Sequence, residues 1–211
     1  MAKLSIEQIK SDPGYKLLDK IPYNTIADFA GGYLRKSNLS IRFYLLIIII
    51  LFTGMVISLI HGTLAHNYRF MGLLKQYLYG LLISFTIVIP VHEAIHGLAY
   101  FLLGARKIRF GAKLKQFAFY SVAEDFVTTR PAFYVLALSP FIILSVANLF
   151  GFFYVHGYAG YTYLSILFFH STMCAGDFAL MSYYEFHKDK ELYTFDDVKN
   201  RISYFYYRTG R

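Results

Sequence analysis

The sequence predicts an all-α, multi-pass membrane protein. It has four transmembrane helices and a short cytosolic β-ribbon loop between the second and third. Three observations carry this reading. First, 56% of the 211 residues are hydrophobic and only 16% are charged, with a mean hydropathy of +0.42. Soluble domains carry about 25% charged residues, so long stretches here have no charge to show to water. That excludes intrinsic disorder and argues against a water-soluble globule. Second, four segments are long and apolar enough to cross a bilayer. Third, the basic residues alternate from side to side between those segments. The single cysteine, Cys174, excludes an internal disulfide framework. The formal charge of +8 is spread over the flanks of the spans and not gathered on a soluble domain. No nucleic-acid partner is therefore expected, and the lipid bilayer is.

The elements follow in order. Residues 1–41 form a polar leader, expected to lie solvated on the membrane. Residues 42–184 form the four-span domain, and residues 185–211 form a basic tail. Residues 43–60 are an uncharged run that includes Ile47, Ile48, Ile49 and Ile50. Residues 77–104 are apolar but contain His92, Glu93 and His96. Residues 133–153 are uncharged, and residues 160–184 contain His170 and Asp177. Each matches the roughly 20 residues that a helix with a rise of about 1.5 Å per residue needs to cross. The first run lacks the features of a cleavable signal, so it is expected to stay in the membrane.

Of the 21 Lys and Arg residues, seven precede the first span and two lie between the first and second. Six lie between the second and third, none between the third and fourth, and six follow the fourth. The positive-inside rule then places both termini in the cytosol, at the cell membrane. In the loop after the second span, Ile108, Phe110, Ala112 and Leu114 alternate with a period of two, which reads as a strand, with a second strand over residues 113–120. In the tail, Phe195, Val198, Ile202 and Phe205 follow a helical spacing, which reads as an amphipathic helix on the inner leaflet.

Two of the 13 acids, Glu93 and Asp177, lie within spans, as do three of the seven histidines: His92, His96 and His170. Ionisable groups in hydrocarbon are expensive, so they are functional candidates. His92-Glu93-Ala94-Ile95-His96 is an H-E-x-x-H motif. Positions i and i+4 leave one helix face, so two imidazoles can bind one Zn²⁺. Glu93 can then act as general base on a water held by the metal. Shuffling 7 His and 5 Glu through the chain gives about 0.005 such motifs.

A zinc site needs a third protein ligand, and depth selects Asp177. His96 lies about 12 Å, and Asp177 about 10 Å, from the cytosolic ends of their spans. His170, about 21 Å deep, is too far along the axis for the same metal unless its helix is broken. It reads as an outer partner or an interhelical contact. Cys174 is one turn from Asp177, a possible ligand but more often a small apolar filler. Glu124 and Asp125 are rival ligands from the loop. Pro90 frees the carbonyl of Thr86 and can kink the second span.

His92-Glu93-Ala94-Ile95-His96-Gly97 within a span, followed by a strand-like loop, resembles the site-2-protease-like intramembrane zinc metalloproteases. It looks closest to a branch of membrane zincin peptidases. Leu136-Ala137-Leu138-Ser139-Pro140, with Asn148 beyond, is similar to the clan's motif in the next span. Cys174-Ala175-Gly176-Asp177 resembles its last motif, in which an Asp supplies the third zinc ligand. The resemblance covers about residues 77–184. It implies one Zn²⁺ per chain, held by His92, His96 and Asp177, with Glu93 catalytic. His170, Cys174 and Asn148 are outer-shell candidates. The implied reaction is hydrolysis of peptide bonds of a membrane protein or peptide in or near the bilayer, with Phe110 and Leu114 of the loop pairing with the extended substrate. The alternatives are a zinc hydrolase of a lipid amide or ester, and a non-catalytic membrane scaffold.

Overall fold

The computed structural model describes residues 4–113 and 118–209, and Leu114 lies outside them. The fold is mixed α/β, which corrects the all-α expectation. In chain order the elements are α1 (Ile6–Ser11), β1 (Tyr15–Pro22), α2 (Ile26–Leu34), α3 (Leu39–Leu64) and α4 (Phe70–Ile83). A π-helical turn (Ser84–Val88) leads into α5 (Ile89–Leu102). Then come β2 (Lys107–Lys113), β3 (Ala118–Glu124), β4 (Thr128–Thr129), α6 (Arg130–Tyr154), α7 (Tyr158–Met173), α8 (Ala175–Phe186), β5 (Glu191–Asp197) and β6 (Ile202–Arg208). One antiparallel sheet runs β1-β6-β5-β4, and β2 and β3 form a separate ribbon.

The departure lies in the leader and the tail. Tyr15 pairs with Arg208 and Pro22 with Ile202, so leader and tail are adjacent strands. The apparent helical spacing in the tail ran across a turn. Asp197 accepts hydrogen bonds from the backbone N–H and the side chain of Asn200, at 3.0 and 2.8 Å. Arg201 takes a positive φ of 55°. Beyond that turn, Ile-Ser-Tyr-Phe-Tyr-Tyr is rich in the β-branched and aromatic residues that favour strands. Ser203 and Phe205 are buried, with less buried residues between them, a strand's period of two. The β2–β3 ribbon forms where the loop alternates, with Ile108 opposite Ala123 and Phe110 opposite Ser121.

The contacts divide the chain into two compact units. One comprises the described residues within Met1–Ile41, Glu93–Ser139 and Gly176–Arg211. Its core gathers Ile21, Tyr183, Tyr184, Leu192 and Phe205, with Phe133 stacked on Tyr184 at 4.2 Å between centroids. Glu185 of α8 caps α3 in this unit. Its two carboxylate oxygens each accept a 2.9 Å bond, from the N–H groups of Leu39 and Ser40. Arg130 binds the chain just beyond the same end of α8, donating to the carbonyls of His187 and Lys190 at 2.8 and 2.7 Å. The second unit comprises Arg42–His92 and Pro140–Ala175. There α4 and α7 meet at Leu73, Tyr77 and Tyr161, and the Ser165 hydroxyl donates to the carbonyl of Tyr77 at 2.7 Å.

Among the described residues, three helices are long and apolar enough to cross a membrane: Leu39–Leu64, Phe70–Leu102 and Arg130–Tyr154. A fourth crossing would be α7 and α8 taken together, bent at a break at Cys174. In α3 the apolar residues are not turned inwards; Ile49 is 61% exposed. A helix apolar all round needs an apolar surrounding.

Candidate metal centre

The H-E-x-x-H motif lies wholly within α5, so the helix itself sets His92 and His96 one turn apart on one face. His96 is buried, and both its ring nitrogens are engaged. Its Nδ1 lies 3.0 Å from the carbonyl oxygen of Leu136, and its Nε2 lies 3.3 Å from Asp177 Oδ1. A carbonyl only accepts, so Nδ1 carries a proton, and Nε2 is the nitrogen turned towards Asp177. Ligands at about 2.1 Å from a tetrahedral ion stand about 3.4 Å apart. The 3.3 Å gap between His96 and Asp177 fits that geometry.

The sequence explains why the Leu136 carbonyl is available. Pro140 sits inside α6, and a proline has no N–H to give to the carbonyl four residues earlier, which is that of Leu136. Instead the oxygen accepts from the Ser139 hydroxyl at 3.0 Å and serves His96. Pro90 has a milder effect. Phe70–Leu102 remains one helix, and the irregularity is taken up in the π-helical turn just before the proline.

Glu93 and Asp177 line one cavity of about 350 Å³ together with His96. Most of its wall is aromatic or aliphatic, including Tyr23, Tyr100, Phe133 and Phe205. Further polar groups face it, among them Asp196 and Ser121. Asp196 accepts a 2.6 Å hydrogen bond from Ser203. The buried Ser121 hydroxyl has no hydrogen-bond partner among the described residues. Neither carries a signal in the sequence, because nothing local shows that β3 and β5 lie beside the motif.

His170 and Cys174 lie elsewhere than straight-helix arithmetic put them. The break after Met173 ends α7, and His170 in its last turn stands with Nε2 3.1 Å from His92 Nδ1. Cys174 is fully buried, its Sγ 3.6 Å from His170 Nε2. Asn148 is occupied within its own helix, its amide donating to the Leu144 carbonyl at 2.7 Å. Phe110 does not line the cavity. Its ring lies over Gly97, where an added Cβ would come within 2.5 Å of it. Glycine after His96 is what lets the ribbon approach the helix. Of the rival acids, Asp125 pairs with Lys107 at 2.7 Å and Glu124 with Arg109 at 3.4 Å.

A family model described as "Putative zincin peptidase" matches residues 85–190, a stretch that holds the motif, Leu136 and Asp177. Searches of curated proteins and of solved structures find no match.

Proposed function

Because the chain belongs to this family of zincin peptidases, we propose that it is a membrane-embedded zinc metalloprotease that cleaves peptide bonds in or near the bilayer. The observation that carries the reading is the His96–Asp177 pair on the face of α5 that also bears His92, with Glu93 beside it in the cavity wall. Zinc would be held by His92 Nε2, His96 Nε2 and Asp177. Once bound, it supplies a Lewis acid for the scissile carbonyl and a lower pKa for water. Glu93 takes the proton from the attacking water and returns it to the leaving amine nitrogen. Leu136 holds His96 in the tautomer that coordinates.

The substrate must be extended at the cut, because a helix hides its carbonyls. The ribbon contains only β2 and β3, so among the described residues β3 keeps one edge without a strand on it. Phe119 to Val122 of β3 line the cavity. A substrate strand laid along that edge reaches Ser121 and Glu93 together. Phe110 of β2 remains part of this reading, as support for that strand, and Leu114 lies outside the described residues. The sheet supports a four-crossing arrangement with leader, loop and tail on one side, and the basic residues around them support the cytosol as that side. Leader, loop and tail supply its strands, so an even number of crossings separates them.

The mostly apolar cavity would also accept an acyl chain, which makes hydrolysis of a lipid amide the second reading. The test uses the full chain in detergent or bilayer discs, with zinc analysis and turnover of membrane peptides and of lipid amides. Glu93→Gln should keep zinc and lower peptide cleavage by about 10²- to 10⁴-fold; His92→Ala should lose zinc. Cleavage by Glu93→Gln at the wild-type rate would reject the reading, and turnover of lipid amides alone would select the second one.

A further inference from the structure

Unit two holds another group of ligand atoms. His92, His170 and Cys174 are 8%, 1% and 0% exposed, and each offers an atom within 4.8 Å of the other two. The separations are those of a coordination shell. With Zn–N near 2.05 Å and Zn–S near 2.3 Å, a tetrahedral ion sets two nitrogens about 3.3 Å apart and a nitrogen and sulfur about 3.6 Å apart. Here His92 Nδ1 and His170 Nε2 are 3.1 Å apart, and Cys174 Sγ stands 3.6 Å from the same His170 nitrogen. His170 and Cys174 are spaced i and i+4 at the end of α7, the spacing that also pairs His92 with His96.

We propose that His92, His170 and Cys174 form a second zinc site, which holds the ion away from His96 and Asp177. The two positions exclude each other through His92. A neutral imidazole has one lone pair, on Nδ1 or on Nε2. An ion on the Cys174 side takes Nδ1, which leaves the proton on Nε2 and withdraws that nitrogen from the other set. When zinc binds here, the thiol proton of Cys174 is released to solvent and the sulfur coordinates as thiolate. One thiolate and two imidazoles suit zinc, cobalt or copper(I) and reject hard cations such as Mg²⁺. This set contains no carboxylate, so an ion resting in it is set apart from the Asp177 ligand of the other set. The proposal shares one residue with the peptidase reading and does not depend on turnover.

The test is cobalt binding by the full chain in detergent, stripped of metal and titrated with Co²⁺. His96→Ala should bind cobalt with a near-ultraviolet thiolate-to-cobalt band. Cys174→Ser should bind it without that band. The double variant should bind at least about ten-fold more weakly than either. Asp177→Asn serves in place of His96→Ala should the latter fail to fold, and adding His170→Ala to either should remove the band. If His96→Ala and Asp177→Asn lack the band, or the double variant binds cobalt as tightly as His96→Ala, the 3.1 Å contact is only an imidazole–imidazole hydrogen bond and the proposal falls. Absence of peptide cleavage by the wild type would reject the peptidase reading and leave the cobalt result standing.

Discussion

Asp196 is a carboxyl group in the wall of an otherwise apolar cavity. Burial pushes its pKa up, against hydrogen bonds from Ser203 and Tyr23 that pull it down. With the folded value above the unfolded one, the folded state binds the extra proton between the two. Stability therefore falls as pH rises through that window. Asp196→Asn should raise the melting temperature at pH 8 and leave it nearly unchanged at pH 4; an equal effect at both would reject the assignment. Other residues were legible to different degrees. The His92–His96 pair is local, so spacing alone gives it. The nearness of Asp177 to His96 followed from depth counted along two spans. The nearness of His170 to His92 was hidden, because the chain breaks at Cys174, which is neither proline nor glycine and gives no sign of a break.

Helices here are positioned by what their ends and irregularities leave unpaired. Pro140→Ala would restore an amide facing the Leu136 carbonyl, in competition with His96. The helix should become more stable while zinc affinity falls about 10- to 100-fold, measured by competition with a chelator; unchanged affinity would show that the carbonyl does not orient the ring. Glu185→Ala removes the acceptor for two N–H groups at the start of α3, at an expected cost of about 1–3 kcal/mol in unfolding free energy. The hydropathy that locates these helices is blind to both devices, since each depends on a partner far away in the chain. It is equally blind to strands at the ends. The Tyr- and Phe-rich tail has enough apolar residues to satisfy a helical spacing by accident, and only the turn at Asp197–Arg201 decides against it.

At the scale of the molecule, the long apolar helices were readable from the sequence because apolar length is a property of each segment alone. The sheet was not, because β1 and β6 are separated by nearly the whole chain and their pairing leaves no local trace. Removing residues 202–209 should leave β1 without a strand partner and β5 with β4 alone. Limited proteolysis is then expected to cut within residues 15–22 of the shortened protein and to spare them in the full chain; equal resistance would mean that the sheet contributes little. That pairing also sets a timetable for biosynthesis. The earliest strand to leave the ribosome must wait for its partner β6, while every long apolar helix is made in between. Thr194, Asp196, Ser203 and Phe205 all border the hollow beside Glu93, so its wall is finished only after residue 205 has been made. A nascent chain thus carries the histidine motif long before it has an enclosed chamber in which to use it.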